Sequence, residues 1–468
     1  MVANTQSFIL PLIILVPYLS ILPILFFDRK HSYNISIGAS AISLALTALV
    51  VYLSHTGASL AFSIPYISYF SINLSFEITS INLVLLVMTS IVFFASSLVG
   101  SYFIKDNHKK YNILFAVTEG SSLALFLSGN LFLFYIFWEL AEVSVFFIIF
   151  MFGGLERRKA SIKFILYSLA SSLILLIAII LLYLHVTPHT FDIFSIIKYA
   201  YTIPVEYQLI IMVMLVFSFV IKMPVFPLHN WLPEAHTEAP TTGSMILAGV
   251  LLKFGGYGLI LMFMMLPISA HYTKYLAILF GFSAVYAAAT ALRQKNLKKA
   301  IAYTSITDMG IVGIGAAAYS ILGNNGALYA MLSHGIIISL LFLIAGTIAE
   351  LYGTLEIDKI KGVMKSFPGL TYLFLFGAIA LIGIPLTTGF IGDLLVFLAS
   401  VNSFGIIGIV PLSGVFLIGV LLFWIYERIF TSRPETNTSY HISRIVMVGA
   451  IILAISSVCL GLFPYLLI

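Results

Sequence analysis

Eight ionisable side chains lie within otherwise apolar stretches: Glu119, Glu139, Glu142, Lys222, Lys253, Asp308, His334 and Asp393. Lys222 closes the run LIIMVMLVFSFVI, and Lys253 sits inside SMILAGVLLKFGGYGLILMFMML. A charge near a bilayer centre costs roughly 2.5–3.5 kcal/mol on insertion scales, so such groups pair with one another or line hydrated cavities. Carboxylates, amines and an imidazole in series are groups that take up and release protons, which makes proton or ion transfer the chemistry they imply. Glu139 and Glu142 stand three residues apart and share a helix face. Two carboxylates that close in a low dielectric do not comfortably both ionise. Lys222 is expected to relieve them by pairing with Glu139, so that movement of this partner changes the lysine's hold on a proton. A buried structural ion pair explains any one of these residues, but it is a poor account of eight spread over seven spans.

The elements that must position these groups follow from composition. Of 468 residues, 61% are hydrophobic and only 9% charged, with a mean hydropathy of +1.11. So few charges cannot cover a water-soluble domain, and the chain is expected to be an all-α polytopic membrane protein. Fourteen spans are expected, near 8–27, 34–54, 79–104, 111–128, 130–152, 162–184, 208–228, 241–267, 274–292, 298–320, 325–349, 369–398, 405–426 and 445–467. The first is too long and lacks the basic start of a signal peptide. The alternating, aromatic-rich segment AFSIPYISYFSINLSFE, up to Glu77, predicts a short β-hairpin at an interface.

Two spans look broken, one at Lys222-Met-Pro224 and Pro227, the other at Gly383, Pro385 and Gly389. Irregular backbone at membrane depth belongs where it lines a cavity. Paired breaks point to inverted repeats. The expected organisation is an N-terminal unit 1–110 with the hairpin, five-helix repeats at 111–267 and 274–430, and a last helix at 443–468. Of the 23 lysines and arginines, all but Lys198, Lys274, Lys222 and Lys253 fall in loops after odd-numbered spans. The positive-inside rule then puts both termini outside. The net charge of +5 reflects this topology and argues for no nucleic-acid partner.

Other chemistries find little support. The single cysteine, Cys459, excludes a disulfide framework or an iron–sulfur cluster held by this chain alone. GGLERRKAS and GNNGALYA lack the Gly-Lys-Ser/Thr order of a phosphate loop. Of the ten histidines only His334 lies clearly within a span, which disfavours a bis-histidine haem. Moving one charge against 100 mV takes about 2.3 kcal/mol, so the driving energy must come from other chains.

The segment KMPVFPLHNWLPEAHTEAPTTGSMILAGVLLKFGGYGL, from Lys222 to Leu259, resembles the signature of the antiporter-like proton-pumping subunits of complex I. FWEL at Phe137–Leu140, LKKAIAYTSI at Leu297–Ile306, MLSHG at Met331–Gly335 and GIPLTTGFIGD at Gly383–Asp393 resemble further blocks of that family, in its order. An acidic residue at Asp393 makes the subunit M (chain 4) type the best match, and the lack of a long C-terminal lateral helix argues against the subunit L type.

The resemblance implies roles. Glu139 would be the partner carboxylate of a first half-channel, Lys222 the lysine it modulates, and Lys253 the connecting lysine. His334 would be a central relay, Asp393 the terminal site of a second half-channel, and His229 a group near the entry or relay path. Asp308 stands where relatives carry histidine or glutamine, and Glu142 is an additional carboxylate. The implied function is a non-redox, proton-translocating subunit of an NADH (or other donor):quinone oxidoreductase. No cofactor is expected in this chain; iron–sulfur clusters and flavin would be in partner subunits, and quinone would be bound elsewhere in the complex. Expected partners are other membrane-arm subunits, antiporter-like neighbours among them, and the lipid bilayer, in a prokaryotic cell membrane rather than a mitochondrial one. A subunit of an Mrp-type Na⁺/H⁺ antiporter or of a membrane-bound hydrogenase is the alternative.

Overall fold

The computed structural model describes residues 8–70, 72–433 and 442–467. The outer ends of the expected 1–110 and 443–468 units therefore lie outside the described residues. Helices α1 (Ile9–Phe26) and α2 (Arg29–His55) lead into a hairpin of β1 (Ala61–Ile67) and β2 (Ile72–Glu77), then α3 (Ser80–Phe103). The strands pair antiparallel from Ala61↔Glu77, with a bulge at Pro65/Ile67, as the alternating pattern predicts. Asn130 holds the hairpin in place: its side-chain amide donates to the Asn73 carbonyl at 2.7 Å and to Ser75 Oγ, while its side-chain oxygen caps the next helix at Leu133 N–H.

The chain continues through α4 (His108–Leu127), α5 (Leu131–Phe152), α6 (Arg157–His185), α7 (Ile193–Tyr199) and α8 (Val205–Lys222). After a break come α9 (Trp231–Glu238) and α10 (Thr241–Ile246), which runs through a π-helical turn (Leu247–Leu251) into α11 (Leu252–Met265). The second half holds α12 (Thr273–Ala291), α13 (Leu297–Ala317), α14 (Ile321–Tyr352), α15 (Val363–Ser366), α16 (Pro368–Leu381), α17 (Thr388–Phe404), α18 (Val410–Ile425) and α19 (Arg444–Leu462).

Among the described residues, twelve segments are long and apolar enough to cross a membrane, against the fourteen expected. The difference of two has two sources. Helix α4 carries Lys109, Lys110, Asn112 and Glu119 and falls short on hydropathy; and the expected span 369–398 divides into the short α16 and α17, of which α17 runs into α18 as one continuous segment.

Helix α14 is the axis of the bundle, its apolar stretch wholly buried against α3, α10, α13, α16, α17 and α19. Without water's hydrophobic drive, membrane helices associate through close packing, and small residues bring backbones together. Gly255 of α11 illustrates this: a Cβ there would come within 2.8 Å of the Phe219 carbonyl and 3.1 Å of Lys222 Cβ on α8. The helix carrying Lys253 can therefore lie directly on the one that ends at Lys222.

Both expected breaks exist. At the first, Pro224 and Pro227 remove donors, and the indole of Trp231 donates to the freed Ile221 carbonyl at 3.1 Å. At the second, residues 382–387 separate α16 from α17, and the turn is built on Gly383 at φ +74°.

Candidate functional site

Lys222 sits at the last turn of α8, where the break leaves its side chain free to point into the bundle. Its Nζ donates to Glu142 Oε1 of α5 at 2.5 Å, with both side chains only 1% exposed. The rings of Trp138, Phe164 and Phe254 surround the ammonium, each centroid 5.7 Å away. A desolvated cation in such a cage gains from the ring quadrupoles, by about 2 kcal/mol or more at a buried site. The pairing with Glu139 expected from the sequence is not what the structure shows. Glu139 is half-buried, one carboxylate oxygen is buried without a hydrogen-bond partner, and its neighbours Leu140 and Val143 are exposed. A separation of three residues turns a side chain by about 60° around the helix, and that rotation puts Glu142 rather than Glu139 against Lys222.

Lys253 forms a second centre, fully buried on α11. Its Nζ donates to the Ala248 carbonyl at 2.5 Å and lies 2.5 Å from His334 Nδ1 of α14. Ala248 belongs to the π-helical turn, whose widened register leaves carbonyls for side chains to take; such turns are frequent at functional sites. His334 Nε2 lies 4.0 Å from Asp308 Oδ2 of α13. Asp308, Ser333, His334 and Asp393 then line one small cavity of ≈10 Å³, room for about one water. Lys253, His334, Asp308 and Asp393 are thus brought together from four helices, the last three around the cavity, while Glu142 and Lys222 make a separate pair.

Gly383 sets the position of Asp393. At its positive φ an added Cβ would lie 2.7 Å from Asp393 Oδ2. Gly383→Ala is expected to cost about 1–3 kcal/mol in backbone strain and to push the Asp393 carboxyl from the cavity. Thermal unfolding of the purified complex would show the first effect, and reduced proton pumping with intact electron transfer the second. An unchanged melting temperature together with unchanged pumping would contradict the placement.

His229 lies in the segment between α8 and α9. It is buried against Tyr286 and Tyr303, and neither ring nitrogen has a partner among the described residues. Burial, with Lys163 adding to it, holds its imidazole below the usual pKa, so it rests neutral and joins neither centre directly.

Sequence reasoning missed two residues. His236 of α9 is fully buried, stacks on Phe342 at 4.5 Å, and leaves both nitrogens unpartnered. Burial, then Lys298 and Lys253, hold its pKa well below that of free imidazole. Lys298, counted from sequence among the loop lysines, is buried and donates to the Ala239 carbonyl at 2.8 Å. It lines a cavity of ≈480 Å³ with Glu238 and Glu350. The available signal was the position of His236 inside PEAHTEAP, between two spans, and of Lys298 immediately before a long apolar helix.

Comparison with known proteins places the chain in a family. Residues 128–419 match the family model described as NADH:quinone oxidoreductase/Mrp antiporter, TM. The NADH-quinone oxidoreductase subunit M of Rickettsia prowazekii (strain Madrid E) is 35% identical over 475 residues, covering 97% of this chain and 95% of the relative. A chain of respiratory complex I from Thermus thermophilus with bound NADH superposes with a TM-score of 0.90 at 25% identity, covering 97% of this chain and 96% of that one. A chain of the Mrp complex from Dietzia sp. DQ12-45-1b shares the fold, with a TM-score of 0.89 at 18% identity, over 99% of this chain and 96% of its own.

Proposed function

The chain belongs to the NADH:quinone oxidoreductase/Mrp antiporter membrane family, and from that premise we propose that it is a subunit M-type, proton-translocating part of a complex I-like membrane arm. One observation carries the assignment of residues: two fully buried lysines, Lys222 and Lys253, each contact a titratable partner on another helix. A buried amine held by a partner that can itself change charge or position is an element that takes up a proton in one state and releases it in another.

The chain's own residues supply the following steps. Glu142 pairs with Lys222, and Glu139, one turn away on the outer part of α5, is a second carboxyl group whose position biases that pair. The outer position of Glu139 suits a response to an adjoining membrane-arm subunit. The cavity beside Lys298, Glu238 and Glu350 is also lined by Thr237, the neighbour of His236 in sequence, and His236 lies within electrostatic reach of Lys298 and Lys253. From Lys253 the proton passes to His334 and then to Asp308 or Asp393 around their shared cavity. Residues 111–267 and 274–430, each containing one break, act as the two halves of this path. The redox centres and the quinone belong to partner subunits, and both termini face the side opposite the basic loops of a prokaryotic cell membrane.

Purification of the intact assembly, with identification of its other chains and reconstitution into vesicles, tests the reading. Co-purification with redox and quinone-site subunits, and vesicle acidification driven by quinone reduction, is the expected result. Co-purification with small antiporter subunits alone, and cation exchange without electron transfer, would replace it with the Mrp-type reading.

A further inference from the structure

A second polar line, separate from the two lysine centres, runs between the N-terminal helices. Ser32, Ser36, Ser40, Ser43 and Thr47 recur every three to four residues along α2, so they fall on one face, and all five are buried. Serine and threonine hydroxyls in membrane helices usually bond back to the carbonyl of the preceding turn, as Ser54 does to Val50 and Thr89 to Leu85. Three hydroxyls of this row do not. Ser40 donates to Glu119 Oε2 of α4 at 2.7 Å, Thr47 pairs with Ser90 of α3 at 2.8 Å, and Ser43 Oγ is buried without a partner among the described residues. At the end carrying Arg29 and Lys30, Asn112 of α4 donates to Ser32 Oγ at 2.8 Å.

Glu119 gives the row its chemistry. It is 1% exposed, no cation bonds to it among the described residues, and its Oε1 has no hydrogen-bond partner. A structural hydroxyl seam needs no carboxyl group, and burying one without a cation is costly. Successive hydroxyls are about 4.5–6 Å apart along the axis, a gap that one bridging water closes. Beyond Thr47 the same face presents Val50, fully buried and apolar, before Ser54 at the half-buried rim.

We propose that the α2 hydroxyl row and Glu119 form a second proton-carrying path that enters from the basic side and is closed by Val50 before the opposite face. This rests on the proton-translocating reading above but uses none of its residues. A proton reaching Ser32 is taken by a hydroxyl oxygen while that hydroxyl passes its own hydrogen onward. The Glu119 carboxylate ends as a carboxylic acid and returns the proton by the same steps, so the path loads and empties a site without crossing the membrane.

The plug allows a gain-of-function test in the intact complex, reconstituted in vesicles with a trapped pH dye and no electron donor. Val50→Ser should raise passive proton conductance several-fold, Val50→Ala should not, and adding Glu119→Gln to Val50→Ser should abolish the leak. Lys222→Ala should leave this leak in place, so a failure here is distinguishable from a failure of the pumping assignment. Infrared difference spectroscopy supplies a second readout that does not depend on Val50→Ser assembling. A carboxyl band lost in Glu119→Gln should shift in D₂O within seconds of transfer. A tight membrane in Val50→Ser, or a Glu119 band that does not exchange, would overturn the proposal and leave a sealed structural seam.

Discussion

Lys222→Met is expected to destabilise the assembled protein by about 3–5 kcal/mol and to abolish pumping through this subunit, whereas Lys222→Met with Glu142→Gln should recover most of the stability and none of the pumping. The reason lies in the asymmetry of buried ion pairs. Removing one partner leaves an uncompensated charge in a low dielectric, while replacing both with neutral groups of similar shape is often close to neutral. Lys222 and Glu142 meet the condition, with side chains only 1% exposed and a 2.5 Å contact. The lysine also loses its three-ring cage when replaced. Thermal unfolding of the four corners of the cycle measures the coupling, and dye-detected acidification of vesicles measures the function. If Glu139→Gln restored stability to Lys222→Met and Glu142→Gln did not, the pairing would be misassigned.

Lys253→Met is expected to remove the proton path between the two halves while leaving electron transfer by partner subunits measurable. Methionine fills nearly the same volume, so the packing of α11 is kept. What is lost is the donor to the Ala248 carbonyl and the contact with His334 Nδ1. An unpaired buried carbonyl costs about 1–3 kcal/mol, small enough for the complex to assemble. Protons moved per quinone reduced should fall to the share of the remaining pumping subunits. Lys253→Arg keeps the charge but must fit a larger planar group into a fully enclosed site, and should rescue pumping poorly. A wild-type proton ratio in Lys253→Met would rule the lysine out as a relay.

Much of this was legible without coordinates. The membrane class follows from having too few charges to cover a soluble surface. The hairpin follows from two-residue alternation, and the breaks follow from prolines that cannot donate. The ionisable residues stood out because each is expensive where it lies, and the long motif around Lys222 and Lys253 led to the family.

The partner of Lys222 was not legible, and the reason is physical. Helical periodicity says that Glu139 and Glu142 lie within about 60° of one another but not which way their shared face points. In a soluble helix the apolar stripe supplies that direction. In α5 the residues on all sides are apolar, because lipid and protein interior are alike in polarity, so the signal is missing. Packing of α5 against α4 and α6 decides it, and turns Glu142 inward.

The same holds for the grouping of Lys253, His334, Asp308 and Asp393, which come from four helices, and for the burial of Lys298 and His236. The sequence alone determined that this chain spans a membrane and carries proton-exchanging groups inside it. Only the tertiary structure decided which of them touch, because contact depends on helix rotation and close backbone approach, and neither leaves a mark in an apolar sequence.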